Sequence, residues 1–233
     1  MAILIGSYAD KTFGPFMMKT DFKQSYRLVV SEKGVGMQGE TEEGVSYAIY
    51  EFLDSSDRIV RPANYLETNP GRGHTVVEKA GVRWAVVNLS GNLFMQAAYS
   101  PFHVADRVFA QLRDKADYVI VDIHAEATSE KVGMGWHLDG RALAVLGTHT
   151  HVPTADGRVL PGGTAFISDV GMTGARGGVI GVKKEQILER FLTQMPVKFE
   201  TAVDDVWVMG CVIETGENGL ASSFEQIMVP AEG

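Results

Sequence analysis

Apolar residues along this chain come in short, β-branched runs, at residues 2–5, 26–30, 45–49, 58–60, 84–89, 118–123, 143–146 and 164–167. Runs this short, bounded by glycine and polar turn formers, predict buried strands rather than helices. Between several of them the apolar spacing changes to three and four. Residues 105–115 place Val108, Phe109 and Leu112 on one face, and residues 183–194 do the same with Ile187, Leu188, Phe191 and Leu192. Both read as amphipathic helices. Residues 129–140 have the length of a crossover helix that would make the strands on either side parallel neighbours. Strand and helix alternate, so the expected class is α/β. Two further segments read as hairpins, residues 74–87 turning at Ala80-Gly81 and residues 206–228 turning at Gly216 to Gly219. They add antiparallel edges to a mixed sheet and point to two packed sheets.

No internal repeat, low-complexity tract or Pro/Ser-rich linker interrupts this pattern, so a single domain over residues 1–233 is expected. The 233 residues are 45% hydrophobic and 21% charged, enough apolar material for a sizeable core and incompatible with a disordered or fibrous chain. No apolar run reaches the roughly 18 to 20 residues of a membrane-spanning helix, and the first residues show no basic segment leading into a long apolar one. With a single cysteine, Cys211, no internal disulfide can form, so the expected location is the cytoplasm. The formal charge of -8 argues against extended nucleic acid as a partner, and nothing suggests a membrane surface. An anionic ligand would need a local source of positive charge. No glycine-rich nucleotide-binding signature stands in the right context. Cys211, in mid-strand, reads as an inert thiol.

The chemistry concentrates beyond mid-chain. Residues 118–124 end an apolar strand on His124, and residues 143–151 end the next on His149-Thr150-His151. In open α/β sheets ligands lie beyond the carboxyl ends of strands, so these imidazoles converge if the strands are neighbours. Were the backbone still extended at His149 and His151, the two would share a face and be competent to hold one metal or two adjacent ones. Polar loop residues are the alternative for the pair, and a satisfied buried histidine for His124. Asp122, two positions before His124, is either the carboxylate that fixes its tautomer or an ordinary buried aspartate. His137 lies inside the crossover and reads as a packing or helix-surface residue. Asp169 follows a strand, with a turn role and a supporting role both open. Arg141 and Arg176 read as solvated, although either could meet an anion.

Three longer stretches carry a resemblance. Residues 122–130 (DIHAEATSE), 147–156 (GTHTHVPTAD) and 168–174 (SDVGMTG) resemble the YmdB-like metallophosphoesterases, a bacterial branch of the calcineurin-type phosphoesterases, and the match runs on from residues 59–64. The resemblance implies a four-layer α/β/β/α sandwich of two mixed sheets flanked by helices. It implies two divalent transition metal ions, iron or manganese foremost and zinc as a further option. It also implies hydrolysis of small phosphodiesters such as 2',3'-cyclic nucleotides by a dimetal-activated hydroxide. His124, His149 and His151 take the places of metal ligands. Two cations would also supply the local positive charge that an acidic protein needs to hold a phosphate. Self-association into a homo-oligomer is left open.

The N-terminal quarter departs from that pattern. The family has an Asp after the first strand's Ile-Gly, a Glu-Asn pair after the second strand and Gly-Asn-His after the third, the last supplying a ligand and the general acid. Here Ile5-Gly6 is followed by Ser7-Tyr8, the second strand by Ser31-Glu32-Lys33 and the third by Tyr50-Glu51-Phe52. The general acid therefore has no candidate in this chain. One reading is a silent scaffold or regulatory binding protein with at most one metal on three imidazoles. The other is a chain short of three ligand loops, which the sequence favours because the flanks of each gap still match. Barrel amidohydrolases also use His-x-His, but near the start of the barrel rather than beyond mid-chain.

Overall fold

The computed structural model describes residues 3–5, 26–31, 34–39, 54, 56–216 and 218–231. It divides into two compact units, one of residues 1–60 with 67–72 and one of residues 61–66 with 73–233. The first holds a small sheet of β1 (Ile3–Ile5), β2 (Tyr26–Ser31) and β3 (Gly34–Gly39) in the order β1-β3-β2. β3 runs parallel to β1 and antiparallel to β2. Three glycines in β3 remove the β-branched signal, which is why this strand was not expected from the pattern. Residues 58–60, expected as a strand, contribute only an isolated bridge between Val60 and Arg72. The expected strand at 45–49 lies outside the described residues, as do residues 6–8, 32–33 and 50–52, where the family's N-terminal ligands would follow their strands.

The second unit is built on a six-stranded mixed sheet. Its strands are β4 (His74–Lys79), β5 (Val82–Ser90), β6 (Tyr118–His124), β7 (Ala144–Thr148), β8 (Arg158–Val159) and β9 (Ala165–Ile167), in the order β4-β5-β6-β7-β9-β8. The four central strands are parallel, and β4 and β8 are antiparallel edges. Helix α1 (Pro101–Leu112) links β5 to β6, and α2 (Thr128–His137) links β6 to β7, as the crossover pattern requires. The proline at its first turn lets α1 begin before the periodic stretch that marks it in the sequence.

Alternating residues of the parallel strands bury two faces. Val87, Leu89, Val121, Ile123 and Val145 pack against Val104, Val108 and Leu112 of α1, Met134 of α2 and Leu138 just beyond its end. The opposite face, with Leu143, Ala144, Ala165 and the stacked Trp84 and Tyr118, packs against Ile213, Ala221 and Phe224. Those three belong to a second sheet, β10 (Gly174–Ala175), β11 (Val206–Thr215) and β12 (Ala221–Pro230), wholly antiparallel and in that order. Helices, sheet and second sheet are thus layered as an α/β/β stack, the expected mixed α/β architecture with two packed sheets. A third helix, α3 (Lys184–Thr193), buries only Ile187. Both hairpins form in the expected places, β4 with β5 and β11 with β12. Among the described residues no helix is long and apolar enough to cross a membrane.

Candidate metal centre

The parallel register sets the site. Ser90, His124 and Thr148 are cross-strand neighbours at the carboxyl ends of β5, β6 and β7, so whatever follows these strands meets at one edge of the sheet. The His124 ring lies 4.8 Å from that of His149, centroid to centroid, at 82°. Its Nε2 is 3.0 Å from His149 Nδ1. On the outer side of His124, Nδ1 is 3.0 Å from Thr148 Oγ1, and Thr148 Oγ1 donates to Asp122 Oδ1 at 2.8 Å. The other oxygen of Asp122 accepts from Asn88 Nδ2 at 2.6 Å. The single hydroxyl proton of Thr148 is committed to Asp122, so its oxygen accepts from His124 and fixes the proton on Nδ1. Asp122 therefore does orient His124, through Thr148 rather than by touching it.

His149 Nε2 faces Glu126 Oε2 at 2.9 Å, and a carboxylate there holds the proton on Nε2. Each outer nitrogen is thus bonded to an oxygen acceptor, which leaves the two inner nitrogens facing each other as lone pairs. Only a cation, a proton or a metal ion, reconciles them. The 3.0 Å separation is that of a hydrogen bond through a shared proton, and it is also close to the spacing of two imidazoles on one ion. Burial, and then the neighbouring His149, hold the His124 pKa below the ordinary imidazole value, which favours the neutral ring a metal requires.

His151 behaves differently from the sequence expectation. The backbone leaves the extended region after Thr148, with φ of 108° at His149 and 66° at His151, so the rule that places i and i+2 on one face no longer applies. His149 turns towards His124, whereas His151 Nδ1 meets the carbonyl oxygen of Ile180 at 3.0 Å. That bond also leaves Nε2 as the free lone pair, the tautomer a ligand needs. Among the described residues, however, no three His, Cys, Asp or Glu side chains converge to hold one ion. The structure brings together two of the three expected imidazoles.

A buried ion pair supports the turned loop. Lys131, on α2, donates to Asp169 Oδ2 and to the carbonyl oxygen of Thr148, both at 2.9 Å, and both charged side chains are 1% exposed. Asp169 in turn accepts from Thr150 N at 3.0 Å, Thr150 Oγ1 at 2.8 Å and Gly171 N at 3.0 Å. Burial alone would raise its pKa. The hydrogen bonds, led by that from Lys131, outweigh it and hold the carboxyl below the usual range. Asp156 is held low likewise, by Ser168 and Thr154 against burial. A Cβ at Gly147 would lie 1.7 Å from the Ser168 carbonyl oxygen, so only glycine lets β7 approach this segment so closely.

His137 ends α2 on Asp106, 3.0 Å away, and against the Phe102 ring, a surface role as expected. Arg141 pairs with the same aspartate, and Arg176 stacks 4.2 Å above Trp207. Cys211 is half-buried on β11, and burial pushes its thiol pKa up. Thr148, Glu126 and Lys131 were not singled out by sequence. Thr148 and Glu126 had a usable signal, since each flanks a strand-end histidine by one or two positions.

The geometry defines an α/β protein with two imidazoles, His124 and His149, facing each other at the carboxyl edge of its parallel strands. The model of the YmdB-like protein family matches residues 46–227, and the chain belongs to that family. It is 46% identical over 182 residues to a 2',3'-cyclic-nucleotide 2'-phosphodiesterase of Bacillus subtilis, covering 78% of this chain and 69% of that protein. It is 37% identical to a putative phosphatase/phosphodiesterase of Mycoplasma pneumoniae, covering 69% of this chain and 59% of the relative. A crystal structure of a hypothetical protein from Thermus thermophilus superposes with a TM-score of 0.72 at 40% identity, over 80% of this chain and 72% of that one. A structure described as a novel phosphatase of Mycoplasma pneumoniae gives 0.70 at 32%, over 79% and 67%. The family expected from the three motifs is the family found, and divalent-metal use goes with it.

Proposed function

We propose that this chain is a metal-dependent phosphodiesterase acting on small phosphodiesters, with 2',3'-cyclic nucleotides as its substrate class. The observation that carries the proposal is the His124–His149 pair, whose inner nitrogens face each other at 3.0 Å while their outer nitrogens are bonded to Thr148 and Glu126. Membership of a family with a named cyclic-nucleotide phosphodiesterase supports the same reading. In it, His124, His149 and His151 are the metal ligands, His151 joining through its free Nε2. Two ions are proposed, iron or manganese foremost and zinc as the alternative. When bound, such ions polarise the phosphoryl oxygens and lower the pKa of a coordinated water, so that hydroxide is present near neutral pH.

The chain's own residues hold the ligand set. Asn88, Asp122 and Thr148 lock the His124 ring and its tautomer, Glu126 does so for His149, and Lys131 with Asp169 hold the loop between His149 and His151. The second reading, a silent or regulatory binder on the same scaffold, is favoured by the missing Asp, Glu-Asn and Gly-Asn-His signatures in residues 1–53. The deciding experiment is hydrolysis of 2',3'-cyclic AMP with Mn²⁺, Fe²⁺ or Zn²⁺ supplied and with a chelator in excess. Metal-dependent turnover supports the enzyme. No turnover with any metal leaves the binder.

A further inference from the structure

A cavity of about 410 Å³ opens beside His151. Its walls are Val152 and Pro153 from the same loop, Ile180, and three methionines: Met172, Met209 of β11 and Met228 of β12. Met209 and Met228 are direct cross-strand partners, so they present one continuous thioether surface. Val152 and Ile180 are 56% and 52% exposed, apolar residues that nothing covers among the described residues of the second unit.

The rim is strained and tied to the candidate metal centre. Ile180 has φ of 44°, a conformation that a β-branched residue adopts only under constraint. Its carbonyl oxygen meets Nδ1 of His151, itself at φ of 66°. One hydrogen bond therefore joins two strained residues, one a candidate ligand and the other a cavity wall. Strain of this kind persists where the surrounding structure holds it, and here it keeps the cavity mouth beside the imidazole.

We propose that this cavity is the subsite for the nucleobase of the substrate. The inference rests on the phosphodiesterase reading, because it names the ring that such a substrate carries. The volume lies within the range of small-ligand sites, and apolar walls with few polar groups suit a flat heterocycle. Methionine sulfur makes favourable contacts with aromatic rings and adapts to their shape. Arg176, which among the described residues is the one arginine, lysine or carboxylate side chain on the walls, already stacks on Trp207. With no array of donors and acceptors among those residues, the subsite grips the ring by contact and discriminates little between bases.

The test is methionine-methyl NMR on the full chain, titrated with adenosine 3'-phosphate and, separately, with the base-free methyl riboside 3-phosphate. Ring-current shifts of Met172, Met209 and Met228 with the first probe and none with the second are expected. Absence of shifts, or equal shifts with both probes, overturns the subsite. A Met228→Trp variant, which fills the cavity, is expected to lower the preference for 2',3'-cyclic AMP over its base-free analogue, in kcat/KM, by about tenfold. An unchanged preference also overturns it. If the wild-type chain hydrolyses neither compound while the methyls still shift, the enzymatic reading fails and the base subsite stands.

Discussion

The two ends of the six-stranded sheet hold their charges in opposite ways. At the amino ends of the parallel strands, Arg83 pairs with Asp117 and Arg141 with Asp106, at 2.6 and 2.7 Å, with all four side chains well exposed. At the carboxyl ends, Lys131 pairs with Asp169 at 2.9 Å with both side chains buried. Cavity size does not separate the ends either. About 420 Å³ opens at the amino end, among Arg113, Asp114, Asp117 and Arg141, against about 410 Å³ beside His151. What separates them is burial of the charged pair. Left-handed non-glycine backbone occurs at both ends, at Ala80 and Asp114 as well as at His149, His151 and Ile180, whereas the dehydrated ion pair falls at the carboxyl end. Exposed ion pairs are screened by solvent and report little, whereas a buried pair is costly to desolvate and persists where it fixes a geometry.

The sharpest way to break this contrast is Lys131→Met. Leaving Asp169 buried without its partner should cost about 3–5 kcal/mol, read from urea unfolding. The double variant Lys131→Met with Asp169→Leu should regain most of that stability, since an apolar pair of similar volume replaces the ions. Activity should stay low, because Thr150 and the Thr148 carbonyl lose their anchors. Recovery of both would show that the pair serves stability alone.

His149→Ala should lower metal-dependent hydrolysis by more than about a hundredfold with little change in the unfolding midpoint, because the loop end tolerates a smaller side chain. Full activity in this variant would remove the site from consideration. Thr148→Val keeps the shape and deletes the hydroxyl that links His124 to Asp122. A weakening of metal affinity by about 10- to 100-fold is expected by titration.

Acid should sharpen the comparison. Asp169 and Asp156 have folded pKa values below those of unfolded carboxylates, so the stability they contribute is complete above about pH 4 and is lost as pH falls through their lowered values. The urea midpoint should therefore drop steeply below about pH 4, and Asp169→Asn should flatten that slope. The smallest effect belongs to the amino end, where Arg141→Ala should change unfolding by under about 1 kcal/mol.

The strands that carry β-branched runs, both hairpins and the two crossover helices were legible in sequence because burial on both faces of a sheet leaves a continuous apolar signature. β3 was not, since its three glycines interrupt the apolar β-branched run that marks a strand. The site was legible as far as His124 and His149, which sit at strand ends. His151 would share a face with His149 only on extended backbone, and that ends with Thr148, because φ is positive at His149. Lys131 was invisible because a lysine after Ser129-Glu130 on a helix reads as a solvated face, and only the fold brings Asp169 beneath it.

The central claim is that the imidazoles at the carboxyl edge hold metal. Its most direct test is the metal content of the full chain after loading with Mn²⁺ and removal of excess, measured beside His124→Ala. Near-stoichiometric metal in the wild type, lost in the variant, is the predicted result. Metal absent from both, or retained equally by both, would contradict the account.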